Sequence, residues 1–134
     1  MDEYLVNQVM TASPQQLHLM VVDGCLRHAR LAADAIAEQD FDRSHDALTE
    51  ARTYLTHLLS GLNPEADDEF MVNLRGLFKL AFRQMTLADI ERDGAKLAPA
   101  IDVLAEHRAT WKGVMDALAA DATAIGADAV ALSA

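Results

Sequence analysis

The residues able to do chemistry are few and dispersed. His18, His28, His45, His57 and His107 are the candidates for metal ligation or proton transfer. A di-metal site in a helical bundle needs Glu-x-x-His motifs on two helices and a carboxylate from each of the others. The sequence contains no Glu-x-x-His, no His-x-x-x-His and no Cys-x-x-Cys. The histidines therefore read as solvated or core-edge residues. Cys25 is the only cysteine, which excludes an internal disulfide framework. It falls in the middle of an apolar helical stripe, away from a helix N-terminus that would lower its pKa, and reads as a small buried hydrophobe. There is no Gly-x-Ser-x-Gly turn and no glycine-rich phosphate loop. No catalytic, cofactor-binding or metal-binding residue is assigned, no cofactor is expected, and the chain does not read as an enzyme.

Two polar features remain. Asp23-Gly24 interrupts an otherwise apolar segment. A glycine inside a helix costs about 1 kcal/mol relative to alanine, so close approach of a second helix is a reason to keep it. Asp23 is either solvent-facing or held by a specific hydrogen bond. Arg75, Lys79 and Arg83 recur at i, i+4 and i+8, the one concentrated basic ridge in the sequence. It is either a solvated face or a partner contact.

The elements that would position these residues are all helical. Ser13-Pro14-Gln15-Gln16 is a helix start: Ser13 at the N-cap, Pro14 at the first position and Gln16 completing a capping box. The first long helix should run from Pro14 to about Gln39. Its apolar face is wide, with Leu17, Val21, Cys25 and Ile36 beside Leu19, Val22 and Leu26, which implies two or more packing neighbours. Asp40 or Asp42 caps the second, to about Ser60, and Gly61 with Asn63-Pro64 stops it. The third spans about Asp68 to Ile90 and closes at Asp93-Gly94. The fourth starts near Ala95, with Pro99 tolerated only in the first turn, and reaches about Leu118. Ahead of Ser13 lies a short apolar lead-in carrying Tyr4, Leu5, Val6, Val9 and Met10. From residue 119 to 134 an Ala-rich tail either extends the last helix or frays. The expected fold is all-α: a single domain over residues 1–118, an antiparallel up-and-down four-helix bundle with that lead-in at its N-terminus.

Bulk properties narrow the function. A chain of 134 residues reads as a single domain that buries roughly two-thirds of its unfolded surface. The net charge of −10 argues against nucleic acid, which needs a basic footprint, and against anionic membranes. No apolar run is long enough to span a bilayer, and no basic and apolar leader opens the sequence. A reduced, cytoplasmic protein is the expectation.

The N-terminal stretch adds a family. Tyr4, Val9, Thr11, Ala12, Ser13, Pro14, Leu17, Leu19, Met20, Asp23 and Gly24 stand in an arrangement that resembles the opening of the flagellin-specific export chaperones (FliS-type). The likeness continues more loosely through Ala29 to Ile36, Asn73-Leu74 to Ala88, and Arg108 to Trp111. Val22 stands where the family usually has Tyr before Asp-Gly, and Phe78 where it often has Tyr.

The resemblance implies a non-enzymatic chaperone, a monomer when free. It would bind the C-terminal region of flagellin one to one in the cytoplasm, prevent premature polymerisation and assist delivery to the flagellar type III export gate, a further partner. An amphipathic client helix needs an apolar groove between bundle helices. Tyr4, Val9, Leu19, Val22, Leu26, Phe78 and Phe82 are the candidate contact or cap residues, with ordinary core as the competing reading of each. The lead-in from Tyr4 to Met10 would cover the groove until the client displaces it. The rival function is a self-associating helical adaptor or scaffold with no flagellin client.

Overall fold

The computed structural model describes residues 2–133, which form five helices: α1 (Glu3–Thr11), α2 (Pro14–Ala37), α3 (Phe41–Ser60), α4 (Glu69–Glu91) and α5 (Gly94–Ser133). No strand occurs among the described residues. The lead-in differs from expectation, because it is itself a helix. Asp2 caps it, its carboxylate accepting from the Tyr4 amide at 3.0 Å.

Local chemistry fixes each boundary. At the start of α2 the Gln16 amide donates to Ser13 Oγ at 3.1 Å, and the Ser13 amide donates to Gln16 Oε1 at 2.9 Å. Asp40 caps α3 and Asp68 caps α4, each accepting from the amide three residues on. Two helices end on non-glycine residues in the left-handed region, Gln39 at φ 60° and Arg92 at φ 53°. In both, the next amide reaches back five residues, Asp40 to Ala35 O at 2.8 Å and Asp93 to Ala88 O at 3.1 Å. This is the Schellman closure. Arg92 is also held over the Phe41 ring at 4.6 Å. The turn expected at Asp93-Gly94 is therefore made one residue earlier, and Gly94 opens α5. Pro99 lies inside α5, beyond its first turn, on an exposed position. The tail beyond residue 118 continues α5.

The four long helices each touch two neighbours: α2 packs on α3 and α5, and α4 packs on α3 and α5. Small residues let them close. Ala29, Ala32, Ala51, Ala81, Ala88 and Ala100 are buried between larger side chains such as Leu48, Leu55, Phe78, Met85, Leu97 and Leu104. Cys25 belongs to this core, and its thiol donates to Ala51 O at 3.3 Å. Polar ties reinforce the helix pairs. Asp89 on α4 accepts from Arg52 Nη2 at 2.7 Å and lies 2.9 Å from His45 Nδ1, both on α3. Arg75 donates to Asn63 O and Ala66 O, both at 2.8 Å. The first residue of the basic ridge is thus committed to holding the α3–α4 loop. No described helix is long and apolar enough to cross a membrane.

Candidate partner groove beneath the first helix

None of the residues of α1 is buried. Tyr4 is 73% exposed and Met10 79%. An amphipathic helix that leaves its apolar residues this open contributes little to the core, so its position has to be explained by what it covers. Leu5, Gln8 and Val9 roof a cleft of about 440 Å³ whose walls are Leu17, Met20, Val21 and Gly24 of α2 and Tyr54 of α3. The walls are mostly apolar, with Asp23 and Arg27 at the rim. On the other flank of α1, Gln8, Thr11 and Ala12 meet Gln16, Leu19 and Met20 in a second cleft of about 450 Å³.

Gly24 shapes the cleft between α2 and α3. A Cβ at this position would lie 2.8 Å from Cε1 and Cζ of Tyr54. The missing side chain lets the Tyr54 ring lie against the α2 backbone, where the His28 ring also packs beside it, tilted by 33° with ring centres 5.4 Å apart. Asp23, one residue earlier, points to the other neighbour: it accepts from Nε of Arg108 on α5. The Asp-Gly pair thus serves two interfaces of α2 at once.

The sequence candidates separate by position. Val9 lines the cleft, and Tyr4 lies exposed on the same helix. Leu19 is half-buried along the other flank of α1. Val22, Leu26 and Phe78 are at most 3% exposed and belong to the core in this state. Phe82 is half-buried against that core on α4, a helix that contributes nothing to the cleft under α1. Tyr54, Met20 and Val21 line the cleft without having been singled out as contact residues. The glycine in a helix signalled a close approach, but the identity of the approaching ring depends on the α2–α3 register, which sequence spacing does not encode.

The groups that could do chemistry are poorly placed for it. Burial pushes the Cys25 thiol up to about 12, so it is not a thiolate at neutral pH. His18 and His107 approach Nε2 to Nε2 at 2.8 Å, beside Trp111 and Phe78. Burial lowers both, His107 to about 4 with a contribution from His18, so the pair is neutral and ties α2 to α5. Trp111 Nε1 adds a bond to Gln15 O at 3.0 Å. Among the described residues no three His, Cys, Asp or Glu side chains gather in metal-binding geometry.

Comparison with known proteins gives these features a context. A family profile described as "Flagellar protein FliS" matches residues 1–118. The Flagellar secretion chaperone FliS of Bacillus subtilis is 32% identical over 109 residues, covering 81% of this chain and 80% of the relative. The protein of the same name from Campylobacter jejuni is 26% identical over 113 residues, covering 84% and 88%. The α5 extension from residue 119 onward lies outside the matched profile. The sequence motif, the all-helical fold and these matches agree: the chain belongs to the FliS family of flagellar proteins.

Proposed function

We propose that this protein is a flagellar export chaperone that binds the C-terminal region of flagellin, one to one, in the bacterial cytoplasm. Binding masks a segment that would otherwise polymerise and keeps the subunit deliverable to the type III export gate. The four long helices act as an antiparallel up-and-down bundle that presents the groove, and the free chain is monomeric. Membership of the FliS family supports this reading, but the observation that carries it is α1. It is a helix with no buried residue, laid over an apolar cleft between α2 and α3. In this reading a client helix replaces α1 on Leu17, Met20, Val21 and Tyr54, an amphipathic helix taking a hydrophobic groove. The client orders on binding, so the groove must supply substantial apolar contact to offset that entropy.

Size-exclusion chromatography with light scattering tests it. The free chain should elute as a monomer of 14.6 kDa and shift to a one-to-one complex with a flagellin C-terminal peptide. Self-association without client, and no shift with it, would favour an adaptor instead.

A further inference from the structure

Another cleft, away from the one beneath α1, lies between α2 and α5 and encloses about 600 Å³. Leu26, Leu31, Ala105 and Ala109 supply its apolar surface, and Arg27, Arg30 and Arg108 its cationic one. Ala105 and Ala109 stand one turn apart on α5, so the floor is low enough there for a helix backbone to approach.

The charge in this cleft is unusual for the chain. The protein carries −10 overall and has 11 basic residues, yet three of these arginines line one cleft. Arg27 and Arg30 have no carboxylate within 4.0 Å among the described residues. Arg108 pairs with Asp23 through Nε alone, which leaves both terminal nitrogens to donate. Asp34 is the remaining acid on the wall. A guanidinium presents a planar fork matched to carboxylates.

We propose that the α2–α5 cleft docks an acidic amphipathic helix from a partner protein other than the client. Its aliphatic face lies on Leu31, Ala105 and Ala109, with buried Leu26 beneath them, and its carboxylates pair with Arg27, Arg30 and Arg108. Charge complementarity selects the occupant, because a basic helix would bring its cations against three guanidinium groups. A separate protein is favoured over the client because no residue of α1 lines this cleft, so it stands open with α1 in place. The inference does not depend on which segment fills the groove under α1.

The test uses the full chain, nitrogen-15 labelled, and two designed amphipathic peptides. Both carry leucine at i, i+3, i+4 and i+7; one has glutamate at the remaining positions and the other lysine. The glutamate peptide should bind saturably, shift the amides of Leu31, Ala105 and Ala109, and weaken as salt is raised. Arg30→Glu alone, and together with Arg27→Glu, should reduce its affinity by about tenfold or more, since charge-assisted contacts are replaced by repulsion. Circular dichroism of these surface variants should be unchanged. Equal binding of the lysine peptide, no saturable binding of the glutamate peptide, indifference to the arginine substitutions, or shifts confined to Leu5, Val9 and Tyr54 would each overturn the proposal.

Discussion

Gly24 and Tyr54 are fitted to one another across the α2–α3 interface, with two ring carbons 2.8 Å from where a Cβ on residue 24 would stand. This contact places the aromatic wall of the groove beneath α1. The Asp23–Arg108 pair then fastens the same turn of α2 to α5. One turn of one helix therefore fixes both the groove and its opposite support.

Gly24→Ala should accordingly destabilise the fold. Alanine gains about 1 kcal/mol in helix propensity, but displacing the ring costs typically 1–3 kcal/mol for overpacking. The net expectation is a loss of about 1 kcal/mol. In the Gly24→Ala, Tyr54→Ala double variant the clash is absent, so the double loss should be smaller than the sum of the single losses. Urea denaturation of the four members of this cycle measures the coupling.

How much of this was legible in the sequence follows from which interactions are local. The Ser13-Pro14-Gln16 start and the Asp40 cap, one of two acidic candidates at that turn, involve residues within three positions of each other, and the structure has both; Asp68, expected only near the start of the next helix, also proves to be its cap. Helical spacing likewise puts Val22, Cys25 and Leu26 on an apolar face that the structure buries. What spacing could not separate is groove from core. Val9 and Phe78 are both apolar, yet one lines a cleft and the other is fully buried, because the difference lies in which helix covers them. The lead-in shows only apolar residues in the sequence and is a helix in the structure. Nine residues are too few to announce themselves by periodicity, and its cap, Asp2, is a single side chain.

Acid should loosen the junction of α2 and α5. His18 and His107 are held neutral in the folded state, His107 down to about 4 from an ordinary 6.5. Below about pH 6.5 the unfolded chain takes up protons that the folded chain refuses, so this pair's contribution to stability falls as pH drops toward 4 and levels off below that. His107→Gln should flatten the fall between pH 6.5 and 4 relative to the parent protein. Thermal melts across that range check it; an identical pH profile in the variant contradicts the assignment.

Cys25 should be silent to thiol reagents while the protein is folded. Its thiol is buried, bonded to Ala51 O and pushed up to about 12. Labelling by a chromogenic disulfide should therefore track unfolding and become rapid in denaturant. Fast labelling in native buffer would mean that α2 and α3 separate far more readily than their packing implies.

Removing the chain beyond Leu118 should scarcely change stability. Residues 119–126 of α5 are all exposed, and none of the core residues among the described ones lies beyond Leu104. The melting temperature of a 1–118 variant is expected within about 2 °C of the full chain, the scale of a few tenths of a kcal/mol for a domain this size. A fall of 10 °C would show that the extension packs on the bundle.

The central claim is that α1 occupies the client's groove. Calorimetric titration of a flagellin C-terminal peptide into the full chain and into a variant lacking residues 1–11 tests it most directly. A competing lid lowers apparent affinity by the fraction of time it is closed. Deleting α1 should therefore tighten binding several-fold, with little loss of stability because the helix buries none of its residues. Unchanged or weaker binding by the deletion variant would contradict the account.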